Sequence, residues 1–145
     1  MNVAKFLNEE EEKRILEAIR HAEKNTSGEI RVHLESKCDS EVLDRAKVVF
    51  NKLKMHKTKL RNGILFYVAT ESRKFAILGD IGIDKKVPTN FWDEIKDLVI
   101  TNMKINERAK GLELGILETG KQLKEFFPYQ NDDKNEVSDE ISIGK

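Results

Sequence analysis

A single cysteine, Cys38, leaves no internal disulfide to form and excludes a disulfide-stapled scaffold. Two prolines and eight glycines in 145 residues exclude collagen-like and low-complexity chains. No apolar run approaches the roughly 18 residues of a membrane helix or has the form of a signal-peptide core, so no transmembrane segment is expected and the cytoplasm is the expected compartment. Net charge is lacking too: Lys+Arg 26 balance Asp+Glu 26, so there is no strong nucleic-acid signal, although 36% of the residues are charged. What is present is 39% hydrophobic residues, including seven phenylalanines and one tryptophan. That is enough for one core, since a chain of about 150 residues buries about 68–70% of its unfolded surface. One domain is expected.

Asn8 and Glu11 have capping-box spacing and predict a helix running to about Lys24, with Ile15, Leu16, Ile19 and Ala22 as its apolar stripe. After the turn Asn25-Thr26-Ser27-Gly28, Ile30, Val32 and Leu34 alternate with Arg31, His33 and Glu35, the period of a strand with one face more deeply buried. Helical spacing returns from about Ser40 to Met55, with Asp39 or Ser40 as cap. The run from Ile64 to Ala69 is apolar on both faces, as in a central strand, and pairs as a hairpin with Lys74 to Gly79. Beyond a Gly-rich loop, Pro88 and Thr89 or Asn90 open a helix to about Asn102; a last helix from about Asn106 to Phe127 is interrupted by Gly111, Gly115 and Gly120. Each interior glycine costs about 1 kcal/mol against alanine, which close backbone packing can offset. A short strand near Lys86 and Val87 is conceivable without support from pattern.

The order predicts a three-layer α/β/α sandwich over residues 1–128, with a small mixed sheet and a βαββ core. Residues 129–145 lack a core pattern and are expected to be a disordered acidic tail. That tail holds five acidic residues against two lysines, so the zero charge is a cancellation, and the remainder is mildly basic.

If the first two strands are parallel and the third antiparallel, one end of the sheet gathers Glu29, Arg61, Asn62, Asp80 and Asp84, with Asp93 and Glu94 in the first turn of the next helix. The segment Gly79-Asp80-Ile81-Gly82-Ile83-Asp84 suits a hard cation such as Ca²⁺ or Mg²⁺, because carboxylates and loop carbonyls are oxygen ligands. Equally, Asp80 and Asp84 are common turn formers, and Asp93 and Glu94 complement a helix dipole. Zinc is disfavoured, because Cys38 stands alone and His21, His33 and His56 have no ligand spacing. Segment 45–61 holds seven basic residues and no acid, which fits an anion or a partner protein, or simply a solvated helix face. Cys38 reads as an ordinary surface cysteine, and His33 and His56 as exposed polar residues.

Ser27-Gly28-Glu29, Arg61-Asn62-Gly63, Gly79-Asp80-x-Gly82-Ile83 and the late glycine helix together resemble the TPM domain family, over about residues 8–128. That family includes thylakoid-lumen proteins of photosystem II repair, a nematode receptor-associated membrane protein of MOLO type and many bacterial proteins. The resemblance implies the α/β/α sandwich and, in some members, divalent cation binding at the acidic rim. Carried over by position, Glu29, Asp80, Asp84 and Asp93 are the implied metal ligands. A plant member is credited with acid phosphatase activity, which implies an alternative: a metal-assisted phosphomonoesterase with Arg61 and Asn62 near the phosphate. No phosphatase nucleophile is recognisable, so hydrolysis here would rest on metal-activated water. The chain also lacks the signal peptide and membrane helix of many bacterial relatives, so it reads as a small soluble variant. The leading expectation is a cation-binding regulatory domain; adaptor binding through segment 45–61 is a third reading. Substrate, partner and oligomeric state stay open.

Overall fold

The computed structural model describes residues 6–129 and 141–144. The first helix, α1 (Glu9–Glu23), starts as the capping box requires: Asn8 Oδ1 accepts the Glu11 N–H at 2.8 Å, and Glu11 accepts the Asn8 N–H at 2.9 Å. It buries Ile15, Ala18, Ile19 and Ala22. Then come β1 (Glu29–Glu35), α2 (Val42–Lys52), β2 (Gly63–Ala69) and β3 (Lys74–Gly79). A one-turn helix, α3 (Ile81–Asp84), precedes α4 (Phe91–Lys104), α5 (Arg108–Leu123) and a short β4 (Ser142–Ile143).

The sheet order is β3-β2-β1-β4. As the βαβ reading requires, β1 and β2 are parallel, in register from Glu29 opposite Gly63 to Glu35 opposite Ala69. The hairpin partner β3 is antiparallel to β2, with Ile64 opposite Gly79. Helices α1, α4 and α5 pack over one face, where Ile30, Val32, Leu34, Ile64, Phe66 and Val68 join the main core. On the other face α2 covers β2 and β3 around Leu65, Tyr67, Ala69 and Met55. Both layers are needed because β2 is apolar on both faces and fully buried.

Two of the three interior glycines of α5 meet backbones as expected, while Gly115 faces the side chains of Val99 and Phe66. A Cβ on Gly120 would lie 2.7 Å from Ala22 Cα of α1, and one on Gly111 would lie 2.9 Å from Val99 O of α4.

Four local expectations change. The α2 helix is shorter than 40–55, and Glu41 caps it in place of Asp39 or Ser40, its Oε2 accepting the Leu43 N–H at 3.0 Å. The reason is that the preceding residues are tied to the hairpin: Lys74 Nζ donates to the carbonyls of Cys38 (2.9 Å) and Ser40 (3.1 Å). The Gly-rich segment is the helical turn α3, in which Asp80 acts as N-cap. Lys86 and Val87 belong to the turn closing α3, their N–H groups both donating to Ile83 O, and form no strand. Most of the expected tail lies outside the described residues; where description resumes, Ser142–Ile143 pair in parallel with His33 and Leu34. No helix among the described residues is long and apolar enough to cross a membrane.

Candidate functional site at the acidic rim

The first rim residues are placed by strand ends. Glu29 opens β1, buried, with its N–H donating to Asn62 O at 3.2 Å. Arg61 sits at φ 52° before β2, and Asp80 leaves β3 with its N–H on Gly63 O at 2.9 Å. Three segments therefore converge at this end of the sheet: the start of β1, the entry to β2 and the exit from β3.

At their centre Arg61 and Asp80 form a bidentate ion pair, Nε to Oδ2 at 2.7 Å and Nη2 to Oδ1 at 2.9 Å. Asp80 also accepts the Ile81 N–H at 2.8 Å, so its capping role and its ion pair share one carboxylate. Gly82 lets this happen. Its N–H donates to Arg61 O at 2.9 Å, and a Cβ there would overlap the Leu60 and Arg61 carbonyls. The two backbones touch, which is the physical content of the Gly79-Asp80-x-Gly82 signature.

Asp84, one turn along at the exposed end of α3, has its carboxyl held above the usual range, first by partial loss of hydration and then by the negative charge of Asp80. Asp93 lies exposed in the first turn of α4. Asn62 turns inward, Nδ2 donating to Ser27 Oγ at 3.3 Å. Of the four residues expected to ligate a metal, Asp80 and Asp84 are near enough for the charge of one to act on the other; among the described residues no group of three or more His, Cys, Asp or Glu is close enough to hold a metal ion. The Arg61 fork, offered by sequence to a phosphate, is engaged by Asp80.

The far end of β1 carries a network that sequence reading missed. Glu35 is buried and accepts two bonds from Arg45, at 2.7 and 2.9 Å, together with one from the Tyr67 hydroxyl. Arg45 holds the Glu35 carboxyl down to about 2 against the cost of burial. Burial, then Glu35, raise the Tyr67 hydroxyl. His33 is buried, a correction to its expected exposure: Nδ1 lies 2.9 Å from Ser142 Oγ, Nε2 3.4 Å from Glu35 Oε1, and the ring stacks on Tyr67. Burial depresses its pKa. Cys38 is likewise buried beneath this network, Sγ to Ser40 O at 3.4 Å, and is no surface cysteine. His56 is half-buried. A signal did exist: a tyrosine in a strand covered on both faces has to bring its hydroxyl to a partner.

The basic segment divides accordingly. Arg45 and Arg61 neutralise buried carboxylates at opposite ends of the sheet, while Lys47, Lys52, Lys54, Lys57 and Lys59 are exposed.

Comparison with known proteins agrees with this architecture. The family model described as TPM domain matches residues 1–122. Among solved structures, the chain is similar to the BA42 protein of the psychrophilic bacterium Bizionia argentinensis, with 48% identity, 98% of each chain covered and a TM-score of 0.92. The N-terminal domain of a protein from P. gingivalis shares the fold at 20% identity and a TM-score of 0.72, over 88% of this chain and 83% of that one. No curated protein matches the sequence.

Proposed function

The chain belongs to the TPM domain family, and from that membership and the geometry of the rim we propose that it binds a hydrated divalent cation, in a binding or regulatory role. The observation that carries this reading is the Asp80–Asp84 pair. Partial burial, and then the charge of Asp80 one helical turn away, make the Asp84 carboxyl harder to ionise, and a divalent cation offsets both. Two carboxylates do not make a protein cage for Ca²⁺, which takes about 6–8 oxygen ligands, but they suit Mg²⁺, which keeps most of its water and uses one or two carboxylates. Glu29 and Asp93 lie outside the ligand set of this proposal. Arg61 already supplies positive charge to Asp80, and its side chain is 42% exposed, so it is free to swing outward when a cation takes over that carboxylate.

Mg²⁺ and Ca²⁺ titrations followed by backbone amide shifts test this. Saturable shifts at Asp80, Ile81 and Asp84, lost in Asp84→Asn, are expected. Shifts confined to residues 129–145, or unchanged by Asp84→Asn, would overturn the site. Phosphomonoesterase activity gains no support from the Arg61 fork, and the five exposed lysines leave the adaptor reading without a defined pocket.

A further inference from the structure

At the opposite end of β3 from Asp80 lies a cavity of about 650 Å³, inside the roughly 300–1,000 Å³ range of small-molecule sites. Its walls are apolar: Val68 and Phe75 from the hairpin, Ile100 and Met103 from the end of α4. Phe75 and Met103 touch the main core yet stay only partly buried, because the cavity takes the place of a packing partner. The mouth is cationic. Arg73 comes from the β2–β3 turn, Lys104 ends α4 and Arg108 begins α5, and no acidic residue lines the cavity among the described residues.

The lip is also built from unusual backbone. Arg73 (φ 54°) and Asn106 (φ 65°) both line the cavity and are two of the four non-glycine residues with positive φ among those described. Such conformations cost about 1–3 kcal/mol each and gather at binding sites more than elsewhere. The Arg108 guanidinium sits 4.9 Å over the Phe6 ring, which closes one side of the opening.

An apolar interior with cations at its mouth is complementary to one kind of molecule. A hydrocarbon tail gains about 25 cal/mol per Å² of surface removed from water, and a carboxylate head is met by charge-assisted hydrogen bonds from arginine and lysine. We propose that this cavity binds a single-chain carboxylate amphiphile of the fatty-acid class, its tail against Val68, Phe75, Ile100 and Met103 and its head between Arg73 and Lys104. The site is independent of the cation rim.

Titration of the full chain with monomeric decanoate, followed by amide shifts, tests the proposal. Saturable shifts at Thr70, Arg73 and Asn106 are expected, with decanol and acetate each binding at least about tenfold more weakly, because each keeps half of the interaction. The double variant Arg73→Glu, Lys104→Glu changes only exposed side chains; it should weaken decanoate about tenfold and leave decanol unchanged. Ile100→Trp, which puts a large ring where the tail would lie, should weaken both. Absence of saturable shifts, decanoate binding indifferent to the charge reversal, or binding to phosphatidylglycerol vesicles without binding of monomeric decanoate would each overturn it.

Discussion

Glu35 shows how one residue couples the two halves of the second layer. Its carboxylate joins Arg45 of α2 to Tyr67 of β2 from a position at the end of β1 that is only 4% exposed. Removing one partner of a buried ion pair costs about 3–5 kcal/mol, because the other charge is stranded. Arg45 is 31% exposed and can turn to water, so Glu35→Gln is expected to lose less than that, about 2 kcal/mol in urea unfolding, whereas Tyr67→Phe removes a single bond and loses about 1 kcal/mol. The pH dependence has a definite sign. With a folded pKa of about 2 against an ordinary 4.5, Glu35 contributes fully above 4.5, and its contribution drains as pH falls from 4.5 toward 2. Urea midpoints measured across that window should fall more steeply for the native chain than for Glu35→Gln; parallel slopes would show that Glu35 is not the group responsible. The residue was legible only in part. Alternation along β1 placed Arg31, His33 and Glu35 on a common face, but alternation does not reveal whether a polar face meets water or another layer, and here α2, Tyr67 and Ser142 enclose it.

Among the elements, the helices that touch through glycine are the most sensitive. On α5, Gly120 faces the Ala22 backbone of α1, with both Cα and Cβ of Ala22 2.7 Å from where a Cβ would stand. Neither helix can yield by rotating a side chain. Gly120→Ala should separate α1 from α5 and cost about 1–3 kcal/mol by overpacking. Gly28→Ala is the control: its nearest neighbours are the flexible ends of Ile64 and Leu123, at 3.3 and 3.4 Å, and its effect on thermal unfolding should be clearly smaller. Helix propensity alone would favour alanine at Gly120, so a loss no larger than that of Gly28→Ala would mean that the contact with Ala22 does not govern the site. This packing was readable in advance, because three glycines inside a helical pattern demand a compensating close approach. The same holds for α1, β2 and β3, whose caps and periodicity are local. By contrast the start of α2 depends on Lys74 reaching back from β3 to the carbonyls of Cys38 and Ser40, a contact across more than thirty residues that no local pattern encodes. For α3, the spacing of Asp80, Gly82 and Asp84 fits a cation loop and a helical turn alike, and the ion pair with Arg61 decides for the turn.

For the molecule as a whole, the chain's end closes on its first strand. The main-chain pairing of β4 with β1, the Gly144 N–H on Leu34 O at 2.7 Å, and Ser142 on His33 bring the C-terminal residues onto the Glu35 network. The pairing is short, so it is poised to open without global unfolding. His33 reports that opening. Its surroundings are Glu35 and Tyr67 from the sheet, Arg31 beside it on β1, Arg45 from α2 and Ser142 from β4; burial prevails over the Glu35 charge and depresses its pKa. A depressed pKa in the closed form means that the open form takes up a proton first. Closure is thus complete above about pH 6.5 and is lost progressively as pH falls below it, until the closed form itself protonates. Gly144 offers a way to test this without substituting any residue of the network. A Cβ there would lie 2.6 Å from Glu35 Oε1 and 3.0 Å from His33 Nε2, so Gly144→Val should expel β4 while leaving the main core packed. In an imidazole NMR titration, the variant should show His33 titrating closer to 6.5 than in the native chain, with little change in the urea midpoint at pH 8. An unchanged His33 titration would mean that α2 and Tyr67 alone bury the ring, and that β4 closes nothing.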